Sequence, residues 1–72
     1  MGGELASRMA TLSEREREVL QLILDGQPTR QISKALYISV KTVEFHRARI
    51  REKLGVATQA QLFSLFITPG ET

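Results

Sequence analysis

A 72-residue chain with no cysteine and a single histidine has to hold itself together by packing alone. Disulfide staples and thiolate metal sites both need cysteine, and one imidazole cannot assemble a histidine-based site. A chain of this length buries about 60% of the surface its unfolded form exposes, enough for one small core but not for a deep cleft. That limits it to a single domain and weighs against most enzymes. The inventory contains no acid/base pair in a plausible pocket, no nucleophile beside a base and no phosphate-cradling loop. A non-enzyme with no cofactor and no metal ion is therefore expected. Apolar runs such as Leu22-Ile23-Leu24 and Leu65-Phe66-Ile67 fall far short of the roughly 18 residues that span a bilayer. The N-terminus lacks the charge, apolar run and cleavage site of a signal peptide. These features predict a cytoplasmic protein that does not contact membranes.

The chain's punctuation predicts four helices. Ser13 and Glu16 have capping-box spacing, Val19, Leu20, Ile23 and Leu24 recur at helical period, and Gly26 suits a left-handed stop, giving a helix over 14–25. Pro28 imposes an extended approach, Thr29 is read as the cap of a second helix over 29–36, and Ile32, Ala35 and Leu36 form its stripe. After a turn at Tyr37-Ile38, Ser39 caps a third helix over 40–54, with Val43, Ile50 and Leu54 inward and Gly55 as its stop. Thr58 and Gln61 repeat the capping-box spacing before Leu62, Phe63 and Phe66, and Thr68-Pro69-Gly70 closes the fold. No alternating β-branched run competes. The expected class is all-α: a four-helix bundle at 11–67 between a flexible segment or linker at 1–10 and a tail at 68–72.

Charge is segregated along the chain. The formal net charge is +2, yet residues 29–56 hold seven cations against two acids while residues 1–28 are net acidic. A concentrated positive field attracts a polyanion, most commonly nucleic acid, although a solvated Lys/Arg face has the same composition. Two short helices joined by a tight turn, the second longer and basic, have the proportions of a DNA-binding helix-turn-helix. Stepping 100° per residue from Val43 places Lys41, Phe45, Ala48, Arg49 and Glu52 on the outer face of the third helix. A phenylalanine ringed by cations and turned away from the core needs something to meet.

These residues resemble a known family. Leu12-Ser13-Glu14-Arg15-Glu16, Glu18-Val19-Leu20, Gly26, Ile32, Leu36, Ile38-Ser39, Lys41-Thr42-Val43, His46, Ile50 and Lys53-Leu54-Gly55-Val56 look like the LuxR-type helix-turn-helix, the output domain of many bacterial transcription regulators. Thr42-Val43-Glu44 followed by His46-Arg47-Ala48 is most similar to the FixJ-type subgroup, in which a receiver domain precedes this module. The resemblance implies a third helix in the major groove of double-stranded DNA, with Glu44, Phe45 and Ala48 facing bases. It also implies phosphate contacts, a set taken to comprise Thr29, Arg30, Lys41, Thr42, Arg47, Arg49 and Lys53. It further implies a homodimer on DNA joined through the last helix, around Leu65, Phe66 and Ile67. An N-terminal receiver or sensor domain beyond Met1-Gly2-Gly3 is an implied partner, as is RNA polymerase. The sequence departs from the pattern twice: Tyr37 stands in a turn where glycine is common, and Gln59 stands where arginine is frequent.

Each candidate also has a structural reading. His46, beside the inner stripe and without a second ligand, is assigned to packing. Arg47 suits an acid of the first helix, Glu16 or Glu18, as well as it suits a phosphate. Lys41 and Thr42 lie in a first turn, where free amides and the positive dipole end favour phosphate. Glu44 could complement that dipole or accept from a cytosine amino group, and Phe45 could rest on a thymine methyl or tuck against the second helix. Leu65 and Ile67 widen the apolar surface of the last helix, as either a partner helix or simple docking on the core requires. The rival functions are a sigma-factor-like promoter-recognition domain, opposed by His46 and Lys53-Leu54-Gly55-Val56, and a small helical protein-interaction adaptor.

Overall fold

Ser13 starts the helix that its spacing to Glu16 foretells: its hydroxyl accepts from the Glu16 amide at 3.1 Å, and the Glu16 carboxylate accepts from the Ser13 amide at 2.9 Å. Both otherwise unpartnered donors are satisfied reciprocally. In the computed structural model, which describes residues 3–66, this helix is the second of five. The order is α1 (Gly3–Met9), α2 (Glu14–Leu24), α3 (Thr29–Leu36), α4 (Val40–Leu54) and α5 (Gln59–Ser64), with no strand among the described residues. The all-α expectation holds, and α3 and α4 have the limits their punctuation set. Met1, Gly2, Ile67 and the tail at 68–72 lie outside the described residues.

The ends of α2, α3 and α4 share one geometry. Beyond α2, Gly26 adopts φ 85°, its amide donates to the Ile23 carbonyl and the Gln27 amide donates to Leu22. Beyond α4, Gly55 adopts φ 75° and the Val56 amide donates to Arg51. Beyond α3 the same reversal occurs, with Ile38 donating to Ser33, but the left-handed residue is Tyr37, at φ 58° and ψ 44°. Tyrosine here departs from the glycine common at this turn at a steric cost: left-handed backbone costs a non-glycine residue about 1–2 kcal/mol. Two capping details correct the sequence reading. Pro28, with extended backbone, is the N-cap of α3 and Thr29 its first helical residue, so no side chain caps that helix. At α5, Thr58 accepts from the Gln61 amide as expected, but the Gln61 side chain takes the Ala57 amide instead of closing the box on Thr58.

α4 is the spine, packed against α1, α2, α3 and α5. Val43, Ile50 and Leu54 meet Leu12, Val19, Leu20, Ile23, Ile32 and Leu62 in one buried core. Leu36 is half-buried and Ala35 exposed, because a two-turn helix lying on α4 needs only a narrow stripe. The expectation of a flexible lead over residues 1–10 is corrected for Gly3–Met9, which is helical. Seven residues are too few for a stable isolated helix. Tertiary contacts hold it instead: Leu5 and Met9 pack against the core, and Arg8 Nη1 donates to the Leu54 carbonyl at 3.0 Å. Gly55 makes room for that arginine, since a β-carbon there would collide with Arg8 Nη1 where it now lies.

Glu16, the one buried charge among the described residues, is 5% exposed. Its Oε1, already accepting from Ser13, also accepts from Lys53 Nζ at 2.8 Å, and Lys53 donates again to the Thr11 carbonyl at 3.1 Å. Burial pushes the Glu16 carboxyl up. The bonds from Lys53 and the Ser13 amide, with the charges of Lys53 and Arg49, outweigh burial and hold it below its ordinary value. Because the folded value is the lower one, the stabilisation is present above the ordinary carboxylate range and is lost as pH falls through the folded value. Glu16→Gln can still close the capping box but cannot pair with Lys53. It should cost about 1–2 kcal/mol at neutral pH and should flatten the acid limb of the stability curve, as read from urea melts of both proteins over a pH series.

Candidate nucleic-acid interface

Ser39 sets the start of α4. Its hydroxyl accepts from the Thr42 amide at 3.0 Å and lies 2.9 Å from the Thr42 hydroxyl, while its carbonyl accepts from Val43. Among the described residues, the amides of Val40 and Lys41 have no such partner. They remain at the positive end of a fifteen-residue helix dipole. Lys41, Glu44, Phe45, Ala48 and Arg49 are all exposed, so the face obtained by stepping round the helix is the face that meets solvent. Phe45 is 62% exposed and does not tuck against α3. Its ring centroid is 5.9 Å from that of His46, which is half-buried, with its Nδ1 enclosed and unpartnered among the described residues. That surrounding suits the packing role assigned to His46.

The cations sort by what holds them. Arg49 pairs with Glu52 at 3.2 Å on the open surface, a bond of about 0–1 kcal/mol that a phosphate can replace. Arg47 is half-buried and makes no ion pair among the described residues; Glu16 is taken by Lys53 and Glu18 by Arg15. Arg30 is exposed and Thr29 half-buried at the start of α3. Lys53 departs from the expected phosphate set. Its ammonium is turned inward onto Glu16 and the Thr11 carbonyl, which makes it a structural cation. At the other end of the chain, Leu65 and Phe66 are half-buried against the core, and Ile67 lies outside the described residues.

The open hollow of about 430 Å³ between α2 and α3 is floored by Leu22 and Leu36 and includes none of these residues. Among the described residues no group of three His, Asp or Glu side chains could hold a metal ion, and no helix is long and apolar enough to cross a membrane.

Residues 10–66 match the family described as bacterial regulatory proteins, luxR family. The chain belongs to that family. It is a LuxR-type DNA-binding domain, as the motif resemblance implied. It is 48% identical over 54 residues to the transcriptional regulatory protein TdiR of Thauera aromatica, covering 75% of this chain and 24% of that protein. With the transcriptional regulatory protein FixJ of Rhizobium meliloti (strain 1021) the identity is 37% over 67 residues, 93% of this chain and 33% of FixJ. The response regulator StyR superposes with a TM-score of 0.84 at 38% identity, over 89% of this chain and 32% of that one. The chain thus spans about a quarter to a third of the length of these relatives.

Within this LuxR-type domain, sequence reasoning missed the bond from Lys53 to Glu16 and the anchoring role of Arg8. Both involve partners distant along the chain, and no local spacing announces them. The sorting of cations has a measurable consequence. Each phosphate contact contributes about −0.9 to the slope of log K against log salt on B-DNA. Arg49→Ala and Lys41→Ala should each reduce the steepness by about one unit, whereas Lys53→Ala should lower the thermal midpoint and leave the slope unchanged. Fluorescence anisotropy on a random-sequence duplex, paired with thermal melts, reads both.

Proposed function

We propose that this domain reads a DNA operator as the output module of a cytoplasmic two-component response regulator, its receiver domain lying outside this chain. The observation that carries the reading is the outer face of α4, where Phe45 stands exposed among cations on a helix anchored from behind by Val43, Ile50 and Leu54. Cations release counterions from the phosphates and fix the helix in register, and side chains of the first turns meet base edges. Glu44, Phe45 and Ala48 are the base-facing residues in this reading. Thr29, Arg30, Lys41, Thr42, Arg47 and Arg49 approach the backbone. Pairing through α5, with Leu65 and Phe66 at its end, brings two copies onto adjacent half-sites. Contact with RNA polymerase belongs to the full-length regulator.

Glu44 separates reading from mere attraction. A carboxylate facing DNA lowers the general affinity and is useful only where a donor such as cytosine N4 meets it, a contact worth about 1–3 kcal/mol of discrimination. Glu44→Ala should therefore hold or tighten binding to random duplex while flattening the preference at one base pair of each half-site. Binding-site selection with wild type and variant, with circular dichroism as the folding control, should return paired half-sites about one helical turn apart. The variant should be less stringent at the Glu44 position; identical selection by both proteins would remove Glu44 from the base-reading set.

A further inference from the structure

Tyr37 occupies a position that two other helix ends give to glycine. The reversals after α2 and α4 place Gly26 and Gly55 in the left-handed region, and Tyr37 is the only non-glycine residue with positive φ among those described. Glycine adopts this backbone without steric cost and tyrosine does not. The side chain offsets none of that strain within the chain, because it is 94% exposed. A large aromatic that strains the backbone and buries nothing has its favourable contacts outside the domain.

What lies beside it identifies the contact. Tyr37 precedes the first residue of α4 by three positions, so its Cα lies within about 11 Å of the mouth of that helix by chain reach alone. Lys34, one turn back along α3, and Lys41, in the first turn of α4, are exposed and make no ion pair among the described residues. Val40 adds a small apolar surface at 42% exposed. A phenol between two free cations and an apolar edge matches the DNA backbone, which alternates anionic hydrogen-bond acceptors with apolar sugar faces.

We propose that Tyr37 is a DNA-backbone contact of this domain, its phenol donating to a phosphate oxygen and its ring lying against the adjacent deoxyribose at the edge of the groove that α4 enters. The assignment rests on the reading of α4 as the DNA-facing helix and extends the footprint onto the turn before it. It explains why a strained aromatic is retained: the free domain carries the strain and the complex recovers it.

The test uses opposite signs. Tyr37→Gly relaxes the backbone and removes the side chain, so the variant should melt a few degrees higher than wild type yet bind a random-sequence duplex about five-fold more weakly. Tyr37→Phe keeps the ring and the strained backbone but loses the donor, and should fall between the two in affinity with the midpoint of wild type. Because no cation is gained or lost, the salt slope should be the same for all three. If Tyr37→Gly binds as tightly as wild type, or Tyr37→Phe is indistinguishable from it, the assignment is overturned. Wild type that fails to bind the duplex at any salt concentration would instead overturn the reading of α4 itself. Weakened binding to an acidic protein with unchanged duplex affinity would transfer the turn to a protein partner and likewise remove Tyr37 from the DNA footprint.

Discussion

One carboxylate oxygen ties the two ends of this small fold together. Glu16 Oε1 accepts from the Ser13 amide, which fixes where α2 begins, and from the Lys53 ammonium, which ties the last turn of α4 to that start. A buried charge is costly unless it is paired and hydrogen-bonded, and Glu16 is both. Lys53 passes the constraint on to the Thr11 carbonyl, and Arg8 from α1 takes the Leu54 carbonyl beside it. Two cations thus sit at the negative end of the α4 dipole, where they are favoured electrostatically. The rear of α4 is clamped by polar bonds and its inner stripe by the core.

That arrangement divides the basic segment into two populations. Lys53, at the rear, is committed to the fold; Lys41 in the first turn of α4 and Arg30 and Lys34 on α3 are exposed to solvent. The front of the helix combines free amides, the positive dipole end and exposed Lys41, while its mid-face carries Phe45, the small Ala48 and Arg49. A rigid helix fixed only from behind presents its outer face with little reorganisation, as insertion into a groove demands. The sequence charge count cannot separate the two populations, because it weighs Lys53 and Lys41 alike.

Features that depend on neighbours within a turn or two were legible from sequence. The capping box at Ser13, the cap at Ser39, the glycine stops at 26 and 55 and the inner stripe of α4 are of this kind, and each is found in the structure. The outer face of α4 followed from the inner one by geometry alone. Bonds across the fold were not legible: Lys53 meets Glu16 across 37 positions and Arg8 meets Leu54 across 46. Helix α1 escaped notice for a related reason: Leu5 and Met9 stand four residues apart, but a single apolar pair within seven residues is too short a pattern to announce a helix, and both are ordered by what they dock on. Thr29 is an instructive local miss. A threonine after proline reads as a cap, but the extended conformation that Pro28 itself adopts makes it the cap residue and places Thr29 inside the helix.

The most direct measurement is a titration of isotopically labelled domain with a random-sequence duplex at low salt, followed by amide and side-chain shifts residue by residue. If the outer face of α4 is the DNA-facing surface, the large perturbations cluster at Val40–Arg49, spread to the start of α3, and leave α1 and the Glu16–Lys53 bond at the rear of α4 undisturbed. Perturbations centred on α1 or on the hollow between α2 and α3, with the first turns of α4 unmoved, would contradict it.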